Sequence, residues 1–311
     1  MSRIPEPQQT PEGPAYEGRL LHRADDEVVD QGVAFDMRTL VSRRNVLGLF
    51  GLGVGAVVLA ACTTDTGAST GSSTTSTGEI PDETAGPYPG DGSNGANVLE
   101  QSGIVRSDIR SSIDGGTTAA GVPMAFELTV LDMNNNNAPF AGTAVYVWHC
   151  DAAGGYSMYS DGIEDETYLR GVQVADSEGR VTFTSIYPAC YTGRWPHIHF
   201  EVYPDVDSIS DAANAIATSQ AALPEDISTG VYALAGYEGS TANLAQVTLA
   251  NDNVFGDDGG ELQLATATGD ITAGYAVTLT ARVDTTTTPT AGAAPGGGGG
   301  GGTPPTDAPT R

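Results

Sequence analysis

Pro196-His197-Ile198-His199-Phe200 is the stretch of this chain whose residue types and spacing most directly allow chemistry. The run His197-Ile-His-Phe-Glu-Val-Tyr203 alternates in polarity, as a β-strand does. Side chains two apart on a strand leave the same face. His197 and His199 therefore aim two imidazoles at one point, which is what a transition metal requires. Glu201 shares that face and completes a formal two-histidine, one-carboxylate set for iron(II) or zinc. Cys150 and Cys190 are further candidate donors as thiolates. A pair of partly exposed strand histidines fits the same pattern, so the pair alone leaves zinc, iron(II) and no metal open.

The elements that must position such a site read as strands. Met124–Leu131, Thr143–His149, Arg180–Ile186, His197–Tyr203 and Ala276–Val283 alternate or are rich in β-branched and aromatic residues. Asn134–Asn137, Asp151–Gly155 and Ser177–Gly179 supply turns. Only Ser210–Ala222 has helical composition. The pattern predicts an all-β sandwich with few helices over residues 80–285, flanked by disordered segments.

The flanks carry their own signals. Residues 1–41 are polar and acidic, without an apolar period, and read as a disordered leader. Ser42-Arg43-Arg44-Asn45 then abuts the apolar run Leu47–Ala61, too short for a bilayer, which needs about 20 residues. Residues 42–62 read as a twin-arginine signal peptide ending in a lipobox, Leu59-Ala60-Ala61-Cys62. Translation from Met37 instead of Met1 would shorten the leader. Residues 63–79 are a Thr/Ser/Gly tether and residues 286–311 a Gly/Pro-rich tail. The expectation is an exported protein held on the outer face of the cytoplasmic membrane by lipid on Cys62. In that compartment Cys150 and Cys190 most simply form a disulfide. The net charge is −26, with 13 basic residues, every one an Arg. No basic patch is available for phosphates, so nucleic acid is excluded as a partner.

A family resemblance sharpens the metal question. Pro188-Ala-Cys-Tyr191-Thr-Gly-Arg194-Trp-Pro-His197-Ile-His199-Phe200 resembles the metal-binding core of intradiol ring-cleavage dioxygenases, which include the catechol 1,2- and protocatechuate 3,4-dioxygenases. Val145–Ser157 resembles the strand and turn that carry that family's first tyrosine ligand. Asp82–Tyr88 and Thr218–Asp226 resemble two further segments, so the likeness covers roughly residues 80 to 230. The resemblance implies the intradiol β-sandwich and an Fe(III) centre held by Tyr156, Tyr191, His197 and His199. It implies that Arg194 faces the substrate, that Gln220 lies near it, and that Tyr191 takes a substrate proton. The implied reaction opens a catechol-type ring between its two hydroxylated carbons with O2, to give a cis,cis-muconate-type diacid. The helical N-terminal extension by which catechol 1,2-type enzymes dimerise has no counterpart here, which points to a substrate other than simple cytoplasmic catechols. Two other readings use the same residues: a non-catalytic binding lipoprotein, and a different metal enzyme built on His197, His199 and Glu201. The substrate and the oligomeric state are not legible.

Overall fold

The computed structural model describes residues 78–289 in full and residues 8–10, 13–16 and 19–20 as backbone. The chain divides into two compact units, Met1–Ala68 and Ser69–Arg311. In the first, β1 (Gln8–Thr10), β2 (Gly13–Tyr16) and β3 (Arg19–Leu20) form a three-stranded sheet. The arginine pair, the apolar run, Cys62, the tether before residue 78 and the tail from residue 290 lie outside the described residues.

The second unit is a sandwich of two sheets. One holds β6 (Ala144–Trp148), β7 (Arg170–Val174), β9 (His197–Tyr203) and β10 (Ala217–Ala222) in the order β10-β9-β6-β7, all antiparallel. The other is built on β4 (Pro123–Asp132), with β12 (Gly274–Val283) parallel to it. β8 (Arg180–Ile186) and the short β5 (Ala138–Pro139) run antiparallel to β4, and β11 (Thr266–Asp270) pairs with β12. β7 and β8 belong to different sheets, and residues 104–109 tie them together. Arg106 N donates to Val172 O at 2.9 Å, and Thr184 N donates to Ser107 O at 2.8 Å. Among the described residues no helix is long and apolar enough to cross a membrane.

β4, β8 and β12 alternate buried and accessible residues, with one face on the inter-sheet core and one toward solvent. In β9 and β6 every residue is buried. Ile198, Phe200 and Val202 enter the inter-sheet core with Phe126, Leu128 and Phe183. The opposite face of this sheet carries Tyr146, Trp148 and Tyr203, which pack with Tyr88, Val98, Leu99 and Ile104. The segment before β4 thus roofs the face on which His197 and His199 stand.

The helices fall elsewhere than composition suggests. Ser210–Ala222 is a single 3-10 turn at Ala212–Asn214, capped by Asp211, followed by β10. All six β10 residues are buried, and the strand's small Ala, Ser and Thr side chains resemble a helix former's composition. Among the described residues the α-helices are α1 (Glu225–Tyr232) and α2 (Ser240–Leu244). Helix α1 starts after Pro224, with Glu225 and Asp226 in its first turn, where acidic charge meets the positive end of the helix dipole.

The expected Cys150–Cys190 disulfide is not formed, and both cysteines are free and buried. Each thiol is turned to a backbone carbonyl instead: Cys150 Sγ to Ala189 O at 3.6 Å, and Cys190 Sγ to Arg194 O at 3.4 Å. Burial pushes the Cys190 thiol up to about 12 and the Cys150 thiol higher still, so neither is a reactive thiolate. Alkylation of the native protein without reductant should leave both residues unmodified, and alkylation after denaturation should label both. A mass two protons lower that resists labelling until reduction would contradict the free-thiol arrangement.

Candidate metal centre

β9 lies between β6 and β10, where Trp148 is opposite His199 and Gln220 is opposite His199 on the other side. The Trp148 ring stacks on His199 at 4.8 Å with 6° between planes, and Tyr146 stacks on Trp148 at 4.9 Å. His197 is oriented by a hydrogen bond from Nδ1 to Trp195 O at 2.6 Å. A carbonyl can only accept, so Nδ1 carries the proton and Nε2 presents a lone pair. Burial, followed by the nearby Arg194 charge, drives the His197 pKa down to about 3, and burial holds His199 well below its usual value. Both rings are neutral near pH 7.

Two loops bring tyrosines to these rings. β6 ends in a turn closed by Asp151, whose Oδ1 accepts from Ala153 N and Gly155 N, both at 2.9 Å. Gly154 takes φ +89 within it, a region side chains resist, and the turn delivers Tyr156. Arg170, 1% exposed, ties the residue after that tyrosine to residues 88–89: it donates to Ser157 O, Ser157 Oγ, Tyr88 O and Pro89 O. The second loop leaves β8 and carries Tyr191. It hangs on the two helices, with Tyr232 Oη donating to Pro188 O at 3.0 Å, Cys190 N to Ser240 Oγ at 3.1 Å and Asn243 Nδ2 to Cys190 O at 2.9 Å.

Four Lewis bases converge as a result. His197 Nε2 and His199 Nε2 are 3.1 Å apart, and Tyr156 Oη and Tyr191 Oη are 3.5 Å apart. Tyr156 Oη is 3.3 Å from His199 Nε2, and Tyr191 Oη is 3.2 Å from His197 Nε2. Four donors about 2 Å from one first-row metal ion must stand a little over 3 Å from one another. Burial first, then Tyr191, holds the Tyr156 phenol well above its usual range, and burial pushes Tyr191 up to about 12 against the opposing pull of Arg194. Unaided, both phenols stay protonated. A multivalent cation at their centre is what would ionise them and make them anionic ligands. The donor set therefore fits a hard metal ion.

Glu201 does not join this set. Its Oε2 accepts from Tyr203 Oη at 2.8 Å, and burial together with Asp91 keeps its carboxyl well above the ordinary carboxylate range. Among the described residues no group of three or more His, Cys, Asp or Glu side chains could hold a metal ion. The site built on His197, His199 and Glu201 is thereby ruled out, and the tyrosines supply what it lacks.

Arg194 stands beside the four donors, with Nη1 3.5 Å from His197 Nε2. Its Nη2 donates to Gln220 Oε1 at 2.7 Å, and Gln220 Nε2 donates to Thr84 O at 2.8 Å. Arg194 Nε donates to Asp252 Oδ2 at 3.0 Å, and Asp252 also accepts from the Trp195, Val254 and Phe255 amides. Burial alone would raise the Asp252 carboxyl, but the Arg194 charge and these amides more than offset it and hold it below the usual range. Asp252 is a functional residue that sequence reasoning misses, because nothing local distinguishes it among 39 acidic residues. Gly86 lies against the His199 ring, where a Cβ would come within 3.2 Å of Cε1. The structure thus brings all of Tyr156, Tyr191, Arg194, His197, His199 and Gln220 to one place.

Parts of the chain resemble known proteins. Residues 97–204, which contain the four donors and Arg194, match the family model described as Dioxygenase. A catechol 1,2-dioxygenase of Candida albicans is 26% identical over 98 residues, covering 32% of this chain and 27% of that protein. A chlorocatechol 1,2-dioxygenase of Rhodococcus opacus is 35% identical over 71 residues, covering 23% of this chain and 27% of that protein. The chain thus spans about a quarter of the length of the curated relatives it matches. Among solved structures, an intradiol ring-cleavage dioxygenase from Tetranychus urticae superposes with a TM-score of 0.53 at 23% identity, covering 67% of this chain and 95% of that one. That likeness establishes the fold.

Removing Asp252 should strand a buried charge. Asp252→Ala is expected to cost about 3–5 kcal/mol of unfolding free energy, the usual effect of breaking a buried ion pair from one side. Chemical denaturation measures it, and a cost below about 1 kcal/mol would show the pair to be replaceable by solvent.

Proposed function

We propose that this chain, whose residues 97–204 are dioxygenase-family sequence on the intradiol ring-cleavage dioxygenase fold, is a ferric-iron intradiol dioxygenase. It would cleave a catechol-type ring between the two hydroxylated carbons with O2, giving a cis,cis-muconate-type diacid. The observation that carries the proposal is the convergence of two neutral imidazoles and two phenols within 3.1–3.5 Å of one another. Tyr156, Tyr191, His197 and His199 would hold the metal. Fe(III) held there would supply Lewis acidity toward a catechol-type substrate.

The protein's own contributions come from position. Tyr156 is 1% exposed and enclosed, its ring 5.0 Å from Tyr88, so it acts as the fixed ligand. Tyr191 is more accessible and lies beside Arg194, so it is the phenol placed to yield its position and accept a catechol proton at Oη. Arg194, immobilised between Asp252 and Gln220, offers a preorganised positive charge where negative charge builds on the ring. The roof of residues 80–104 and the Trp148–Tyr146 stack keep bulk water from the histidine face.

The location is part of the proposal. Arg43-Arg44, the apolar run Leu47–Ala61 and Cys62 support export and lipid attachment. A mature N-terminus at Cys62 carrying a diacylglycerol mass is the expected product in membrane fractions.

Protein loaded with ferric iron should be red from phenolate-to-iron charge transfer, and Tyr156→Phe should shift or abolish the band. It should take up one O2 per catechol opened, and Arg194→Gln should lower kcat/KM about 100-fold. A colourless iron-loaded protein would refute tyrosine ligation, and no O2 uptake across a catechol panel would refute the activity.

A further inference from the structure

We infer, resting on the dioxygenase function proposed for this site, that Asp252 is a positioning residue: it turns Arg194 so that Nη1 is the edge of the guanidinium left for a substrate oxygen. Asp252 lies outside residues 97–204, which match the dioxygenase family model. A guanidinium carries its N–H donors in one rigid planar fork and has no acceptor. Arg194 gives Nε to Asp252 Oδ2 at 3.0 Å. It gives Nη2 to Gln220 Oε1 at 2.7 Å and to Asp252 Oδ1 at 3.4 Å. Gln220 is fully buried and its Nε2 donates to Thr84 O at 2.8 Å, so its Oε1 is the end that faces the arginine. Nε and Nη2 are thereby taken by groups that cannot move aside. For Nη1 the neighbour is His197 Nε2, at 3.5 Å. That lone pair belongs to the metal in the proposed function, which leaves the Nη1 protons for a ligand oxygen beside the four donors.

Asp252 is itself held still. Its Oδ2 also accepts from Trp195 N at 2.6 Å, and its Oδ1 from Val254 N at 2.8 Å and Phe255 N at 3.1 Å. Its own amide donates to Thr248 O at 2.9 Å. The turn that follows needs the glycine at 256, where a Cβ would stand 2.5 Å from Asp252 O. One carboxylate thus fixes the guanidinium of residue 194 and the amide of residue 195, and Trp195 O in turn holds His197 Nδ1 at 2.6 Å. The Arg194 side chain is 13% exposed, so without Asp252 this long, flexible group could turn about its remaining bond to Gln220. A buried carboxylate also weakens the field of the arginine it pairs with. The two effects have opposite signs. As a counter-charge Asp252 would slow the reaction, and as a positioning residue it speeds it by holding Nη1 toward the substrate.

The sign is read in the iron-loaded enzyme with catechol as substrate. Asp252→Asn keeps the shape and removes the charge, and it should lower kcat about tenfold with a smaller change in KM. An unchanged or raised kcat would overturn the inference. In an Arg194→Gln background the same substitution should change kcat by less than about twofold, because the group it positions is gone. A repeated tenfold loss there would mark Asp252 as structural only and also overturn it. Arg194→Lys keeps the positive charge without the planar fork, and should lose about as much as Arg194→Gln. A kcat within about threefold of wild type would defeat the inference even where Asp252→Asn does not fold. The placement is also read before iron is added, by nitrogen NMR of isotope-labelled protein. Arg194 should give separate Nη resonances from a guanidinium that does not rotate, identified by their loss in Arg194→Gln, and these should merge in Asp252→Asn. If the wild type opens no catechol, the dioxygenase function fails and this measurement decides the placement by itself. Merged signals in the wild type, or signals still separate in Asp252→Asn, would overturn it.

Discussion

The structure turns on two imidazole nitrogens held 3.1 Å apart inside the protein. His197 has its proton fixed on Nδ1 by Trp195 O, so its Nε2 offers a lone pair to the neighbouring ring. Two phenol oxygens close the same space at 3.2 and 3.3 Å. Burial forbids any of the four from relieving the crowding by charging alone. Such an arrangement is costly unless a cation organises it, and much of the surrounding chain serves to hold it against that cost.

The support comes from three directions, the first two joined where Arg170 Nη1 donates to Tyr146 Oη at 3.1 Å. Stacking of Tyr146 on Trp148 and of Trp148 on His199 fixes one ring by surface contact rather than by hydrogen bonding, and His199 Nδ1 has no partner. The Tyr156 loop is fastened by Arg170 to the roof segment, and the Tyr191 loop is fastened to α1 and α2 through Pro188 and Cys190. The helices, a minor part of the fold, serve to place one ligand. The carbonyl contacts of the two thiols belong to the same fastening: Cys190 Sγ reaches Arg194 O within its own loop, which is incompatible with bonding to Cys150.

What was legible in the sequence depended on how each element is solvated. His197–Tyr203 and Arg180–Ile186 carry a residue alternation that survives into the structure at the same boundaries. The histidine pair was legible because strand geometry makes residues two apart neighbours whatever else the fold does. β10 was not, because Ala217–Ala222 is dominated by small residues, whereas the equally buried β9 still alternates polar and apolar types. β7 is interrupted by Gly171, whose place is set by Ile109 packing where a Cβ would stand, a contact of long range in sequence. The tyrosines and Arg194 could be picked out only through likeness to a known pattern, since composition offers 12 tyrosines. Asp252 had neither periodicity nor pattern, and it is recognisable only through the guanidinium and the three amides that converge on it.

The two tyrosines, equivalent in chemistry, are unequal in surroundings, and the inequality is what a working site would need. Tyr156 sits between Tyr88, Tyr191 and His199, with its amide bonded to Ser160 Oγ and its loop locked by Arg170. Moving it would disturb the roof. Tyr191 borders the accessible residues Thr192 and Gly193 and feels the Arg194 charge, which opposes burial and favours its ionised form. A fixed guanidinium at the side of a phenol stabilises its ionised form, which is what a proton-accepting Tyr191 would need. In the function proposed here, the Asp252–Arg194–Gln220–Thr84 chain would hold one positive charge in place beside the phenol of Tyr191.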